Sequence, residues 1–243
     1  MLDWSSAQRP LIIGHRGASA AAPENTLAAF ALAQAQGADG IELDVQLSAD
    51  GWPVVMHDSK LERTTNGQGR VQQLSLAQLQ ELDAGQGQTI PTLDEVFETL
   101  GPNFLYNVEL KTAAFRDDGL AAAVADRIQA HHVERQTVVS SFNPLAVRWA
   151  RRHLTQSTWV AHLSYKTAFN FKYSLAPSQA VHPHYRLVDA AYVAWAQKRG
   201  WRIHVWTVDN PTEAQRLVDL GVHAIITNQP KAIRQALFSH EKN

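Results

Sequence analysis

Two carboxylates share one face of a strand in the stretch "IELDVQLSADGWPVVMHD", residues 41–58. Ile41, Leu43, Val45 and Leu47 alternate there with Glu42, Asp44 and Gln46, the period-two signature of a β-strand. Like charges two residues apart repel each other and resist burial. The segment "NVELK" repeats the arrangement, with Asn107, Glu109 and Lys111 alternating with Val108 and Leu110. Three carboxylates from neighbouring strands form an oxygen-ligand set for one hard divalent cation, Mg²⁺ or Ca²⁺. His15 and His57 supply groups that change protonation near neutral pH, as general acid–base chemistry requires. Arg16 and Lys111 offer an anion clamp, and a guanidinium matches phosphate bidentately. The combination points to metal-assisted chemistry on a phosphate ester.

Each group also has a plainer reading. A carboxylate–arginine or carboxylate–lysine pair can be structural, "HD" can be a histidine oriented in a turn, and the glycine of "HRG" can serve backbone geometry alone. Trp206 is one of seven tryptophans and could be core or rim packing. His131, His132, His153, His223 and His240 read as surface residues. His162 and His204 read as mid-strand packing positions, and His182 and His184 as residues of a pocket rim.

Such groups need a scaffold that gathers strand ends. Short β-branched runs at 11–14, 41–45, 105–110, 137–142, 158–163, 179–183, 203–208 and 224–228 supply eight strands. Helical periodicity covers 24–36, 92–100, 117–131, 144–153, 188–199, 212–220 and 231–239 between and after them. Alternating strands and helices imply parallel β/α units, and eight strands in 243 residues fit a (β/α)₈ barrel, with an open doubly wound sheet as the alternative. The turn "ADG" is too short for a parallel crossover, so 52–57 should fold back antiparallel onto 41–47. Pairing Leu47 with Trp52 then puts His57 opposite Glu42, although a one-residue slip would reverse this facing. Residues 59–90, with one short helical pattern at 75–82, read as an excursion from the barrel.

Composition excludes several partners. A formal net charge of −1 offers no polyanion-binding surface, so no nucleic acid is expected. There is no cysteine, and hence neither a disulfide nor a thiolate metal site. The N-terminal segment lacks a signal-peptide pattern, and no apolar run reaches the roughly eighteen residues of a membrane span. A soluble cytoplasmic protein without stable membrane association is the expectation; oligomeric state leaves no signature.

The motifs "GHRGASAAAPENT", "GADGIELDVQLSADGWPVVMHDSKLERTTNGQG", "LDAG", "IPTLDEVF", "YNVELK", "SSF", "VWTV" and "IITNQP" closely resemble the glycerophosphodiester phosphodiesterase family. The resemblance implies a TIM barrel in a single domain spanning 1–243, with a small insertion after the second strand at about 46–91. It implies hydrolysis of glycerophosphodiesters to sn-glycerol 3-phosphate and an alcohol with a divalent cation. By resemblance, His15 and His57 are the acid–base pair, and Glu42, Asp44 and Glu109 the metal ligands. Arg16 and Lys111 match the phosphate contacts, and Trp206 the aromatic residue near the glycerol end. Leu110 stands where isoleucine is common, and the spacer before "PENT" is alanine-rich; neither departure removes a charged group. A phospholipase-type enzyme acting on lysolipids, or a barrel binding a phosphorylated ligand without turnover, are the alternatives.

Overall fold

The computed structural model describes residues 3–5, 7–165 and 176–238. Its parallel strands are β1 (Leu11–His15), β2 (Gly40–Leu47), β4 (Leu105–Leu110), β5 (Thr137–Ser141), β6 (Trp159–Ser164), β7 (Ala180–Pro183), β8 (Arg202–Val205) and β9 (Ala224–Thr227). β1 pairs with both β2 and β9, which closes the sheet into a barrel and rules out the open doubly wound alternative. Helices α1 (Leu27–Ala35), α3 (Leu93–Leu100), α4 (Leu120–Ala130), α5 (Pro144–His153), α6 (Ala190–Gln197), α7 (Pro211–Asp219) and α8 (Pro230–Phe238) connect or follow the strands.

Helix starts follow local chemistry. The Thr26 hydroxyl accepts from the Ala29 amide at the start of α1, and Thr92 forms a reciprocal capping box with Glu95 at α3. Apolar residues on the outer strand faces, such as Ile41, Leu43, Val45 and Val108, pack beneath the helices. Inward-facing Leu11, Ile13, Leu105, Val138 and Ile226 fill the barrel's lower interior around the buried Trp4, whose indole donates to the Gln136 carbonyl at 2.7 Å.

After β2 the chain leaves the barrel. β2 outlasts β1, and its free end, Val45–Leu47, pairs antiparallel with β3 (Pro53–Val55). The excursion carries the short helix α2 (Leu76–Gln80), and Val54, Met56, Leu61, Val71, Leu79 and Ile90 give it a small core of its own. The hairpin register corrects the expected one by a residue: Leu47 faces Pro53, not Trp52. Ser48 is the cause. Its backbone amide donates to the Trp52 carbonyl and its hydroxyl accepts from the Trp52 amide, both at 2.9 Å, which holds Ser48–Trp52 as a five-residue turn.

Candidate active site

Strand register carries the charged residues to one end of the barrel. His15 lies beside Glu42, Glu42 beside Asn107, and Asp44 beside Glu109. Glu42, Asp44 and Glu109 are buried, with one oxygen of each lying within 4.8 Å of the others. Burial, then the charges of Asp44 and Glu109, pushes the Glu42 carboxyl well above its ordinary range. Burial, then Asp44, pushes Glu109 up to about 7. Burial would raise Asp44 too, but Lys111 and Arg16 outweigh it and hold that carboxyl below its usual value.

The Lys111 ammonium donates to Glu109 at 2.9 Å and lies 3.5 Å from Asp44 Oδ1. Arg16 Nε lies 3.2 Å from Asp44 Oδ2. Asp44 Oδ1, fully enclosed, has no hydrogen-bond partner. An all-oxygen donor set with excess negative charge and an unmatched buried oxygen fits a divalent cation such as Mg²⁺ or Ca²⁺.

The two imidazoles differ in their partners. His15 Nδ1 is 2.7 Å from Asn228 Oδ1, and its Nε2 is 3.9 Å from Glu42. Burial, then Arg16, lowers its pKa, so the ring is neutral at neutral pH. His57 Nδ1 instead lies 2.6 Å from the Asp58 carboxylate. With the ladder ending at Val55, His57 is not placed by strand pairing as expected. The buried Gln46 amide holds the segment instead, donating to the carbonyls of Met56 at 2.9 Å and Asp58 at 2.8 Å, with that of His57 at 3.3 Å.

Further residues complete the site and escaped the sequence reading. Glu24 accepts from Arg16 at 2.9 Å and from Arg63 at 2.7 Å, while Arg63 also holds Asp58. One guanidinium from the excursion thus ties the His57 partner to the Arg16 partner. Asn25 donates to Asp44 at 2.9 Å. Its φ of 59°, like the 55° of Arg16, is left-handed, a conformation uncommon outside glycine. In "HRG", Gly17 serves backbone geometry: φ is 83°, and a Cβ would lie 2.5 Å from the Ala29 backbone. The signal for Glu24 and Asn25 was "PENT" itself, two polar residues ahead of a threonine that alone suffices as the helix cap.

A cleft of about 930 Å³, lined by Gln46, His57, Ser59, Glu109, Lys111 and Phe142 among others, opens on the His57 side. Trp206 follows β8 at the rim, its indole donating to the His182 carbonyl at 2.8 Å and its ring meeting Phe142 and His184 edge-on. Of the two expected rim histidines, His184 is there, but His182 is wholly buried inside the barrel, 2.9 Å from His204. β7 ends near residue 183 as expected, but within it the His182 ring turns inward instead of reaching the rim. His162 and His204 are buried mid-strand as read. His131 and His223 are half-buried, not surface, because His131 pairs with Asp94 at 2.7 Å and His223 accepts from the Ile203 amide. His240 lies outside the described residues.

A closed parallel barrel with its ionisable groups gathered at the C-terminal strand ends defines the TIM-barrel enzyme class. The profile of the glycerophosphoryl diester phosphodiesterase family matches residues 15–232. The chain belongs to this family and is an enzyme, a glycerophosphodiester phosphodiesterase. It is 37% identical over 239 residues to the glycerophosphodiester phosphodiesterase of Caldanaerobacter subterraneus subsp. tengcongensis, covering 93% of this chain and 96% of that one. An Oleispira antarctica phosphodiesterase, solved in complex with the product sn-glycerol 3-phosphate, superposes with a TM-score of 0.87 at 32% identity over 94% of this chain and 97% of that one. The glycerophosphodiester phosphodiesterase of Agrobacterium tumefaciens superposes at 0.78 with 29% identity, covering 92% and 98%. No described helix is long and apolar enough to cross a membrane.

Proposed function

We propose that the chain releases sn-glycerol 3-phosphate and an alcohol from glycerophosphodiesters. In this reading Glu42, Asp44 and Glu109 hold one divalent cation, Mg²⁺ or Ca²⁺, and His15 and His57 act as base and acid. The observation that carries it is a buried acidic triad, matched by two fixed cations and flanked by two histidines with unlike partners. The product bound to the Oleispira antarctica relative supports the substrate class.

The hydrogen-bond partners support His15 as the base and His57 as the acid. His15, neutral and with Nδ1 directed at an amide oxygen, keeps a lone pair on Nε2 and can take a proton. His57 is held at Nδ1 by the Asp58 carboxylate, which orients the ring and leaves Nε2 to give a proton to the leaving group. The cleft of about 930 Å³ borders His57, so the departing alcohol belongs on that side. A bound cation would offset negative charge on the phosphate oxygens. Arg16 and Lys111 are placed to share that load, and the Trp206 ring offers an apolar wall to glycerol carbons. The glycerol hydroxyl next to the ester is tethered near phosphorus, which spares the entropy of bringing reactants together. His15 would deprotonate it, His57 would protonate the alcohol, and water would open the cyclic phosphate with the roles exchanged.

The test is release of glycerol 3-phosphate from glycerophosphocholine, with cation and with chelator. Release that the chelator abolishes is expected. No release in either arm would sink the reading, and undiminished release under chelation would remove the cation from it.

A further inference from the structure

The side-chain amide of Asn228 stands between His15 and Asp209. Its Oδ1 is 2.7 Å from His15 Nδ1 and 2.8 Å from Ser19 Oγ, while its Nδ2 donates to Asp209 Oδ2 at 2.6 Å. Ser19 does not decide which way the amide points. Its single hydroxyl proton has two acceptors within reach, Asn228 Oδ1 and the His15 carbonyl, each at 2.8 Å. With the amide reversed, Nδ2 would donate to Ser19 Oγ and the hydroxyl to the His15 carbonyl, so that side would be at least as well satisfied.

Asp209 decides. Its Oδ1 accepts from the Thr227 hydroxyl and the Asn228 backbone amide, both at 2.8 Å, which fixes the carboxylate in place. Reversal would then press the Asn228 oxygen against Asp209 Oδ2, exchanging a charge-assisted hydrogen bond for repulsion. The amide oxygen therefore faces His15 and requires a hydrogen on Nδ1.

We infer that Asp209 is a positioning residue: through the Asn228 amide it fixes the Nδ1–H tautomer of His15, leaving Nε2, the nitrogen nearer Glu42, to take the substrate proton. The inference rests on the role of His15 as base. Asp209 is 194 residues from His15 in sequence and touches it only through Asn228, so the chain's two ends meet in one relay.

Asp209→Asn tests it in the full-length, cation-loaded enzyme. The Asn228 backbone amide still requires an oxygen at the Oδ1 position, so the new amide nitrogen replaces Oδ2 and confronts Asn228 Nδ2. Asn228 turns over, and His15 carries its hydrogen on Nε2, the wrong atom. Asn228→Ala removes the bond without imposing that tautomer. Asp209→Asn should therefore lower kcat at least about tenfold further than Asn228→Ala does, with KM and cation affinity within about twofold of wild type. A tautomer-inverting substitution in a serine-protease triad, an unrelated system, costs about 10⁴-fold. Nitrogen-15 shifts of the His15 ring, assigned by their loss in His15→Gln, should show protonation moving from Nδ1 to Nε2.

The double exchange Asp209→Asn with Asn228→Asp restores an acceptor facing His15 and should recover the Nδ1–H form and most of kcat. It also serves as the test if Asp209→Asn fails to fold. A folded, inactive exchange overturns the inference, as does an unchanged tautomer in Asp209→Asn. If wild type itself releases no glycerol 3-phosphate from glycerophosphocholine, the proposed function fails, while the nitrogen-15 comparison still judges the tautomer.

Discussion

Glu42, Asp44, Glu109, His15 and His57 crowd one end of the barrel, yet their substitutions should separate cleanly. His15→Ala and His57→Ala should lower kcat by about 10²–10⁴-fold, the usual contribution of a general acid or base. Cation affinity by calorimetric titration should stay near wild type, because neither ring belongs to the oxygen cluster. Asp44→Asn and Glu109→Gln should instead weaken cation binding, with activity partly restored by excess Mg²⁺ or Ca²⁺. Equal loss of cation affinity in all four variants would dissolve the division of roles. The tethered nucleophile has its own test. Glycerophosphocholine lacking the 2-hydroxyl should bind and inhibit but remain uncleaved, and its rapid hydrolysis would leave water as the attacking group.

At the scale of elements, the hairpin does more than extend β2. Gln46 lies on the inward face with Glu42 and Asp44, and its amide reaches three successive carbonyls, the buried one of Met56 and the part-buried ones of His57 and Asp58. Gln46→Ala should destabilise the protein by about 1–3 kcal/mol, the cost of orphaned buried polar groups. It should also reduce kcat, since the His57 segment loses its anchor; urea unfolding and steady-state kinetics check the two effects. The alternation in "IELDVQL" makes the acidic face legible from sequence, because strand periodicity alone decides which side chains share a face. Hairpin register is not legible. It depends on Ser48 closing its turn with both backbone and hydroxyl, and a serine before "ADG" carries no mark of that. Asn228 and Asp209 are equally hidden. After a strand, "TN" and "VDN" look like turn and cap residues, and only closure of β1 against β9 shows that one of them meets His15.

The barrel as a whole holds together a charge arrangement that the folded chain tolerates poorly without a counterion. Glu42 and Glu109 retain protons in the fold at pH values where the unfolded chain has released them, from the ordinary glutamate value of 4.5 up to about 7 for Glu109. Across that window the native state binds more protons, so these two groups make stability fall as pH rises. Asp44, Glu24 and Asp58 run the other way. Their pKa values are depressed, so their contribution is present above the unfolded values and is lost only in acid. Buried neutral histidines oppose the glutamates as well, His182 at about 3 among them. The plain stability curve therefore mixes both signs, whereas the difference made by cation isolates the triad. Binding requires deprotonated carboxylates and displaces the retained protons, so affinity must climb through the same window. The rise in thermal midpoint produced by saturating Mg²⁺ or Ca²⁺ over a chelated sample should be small at about pH 5 and several-fold larger at about pH 7.5, as ligand-linked stability grows with affinity. Paired melting scans across that range measure it directly. A cation-induced rise that is absent, or that stays flat with pH, would mean that Glu42 and Glu109 are not the groups the metal must deprotonate.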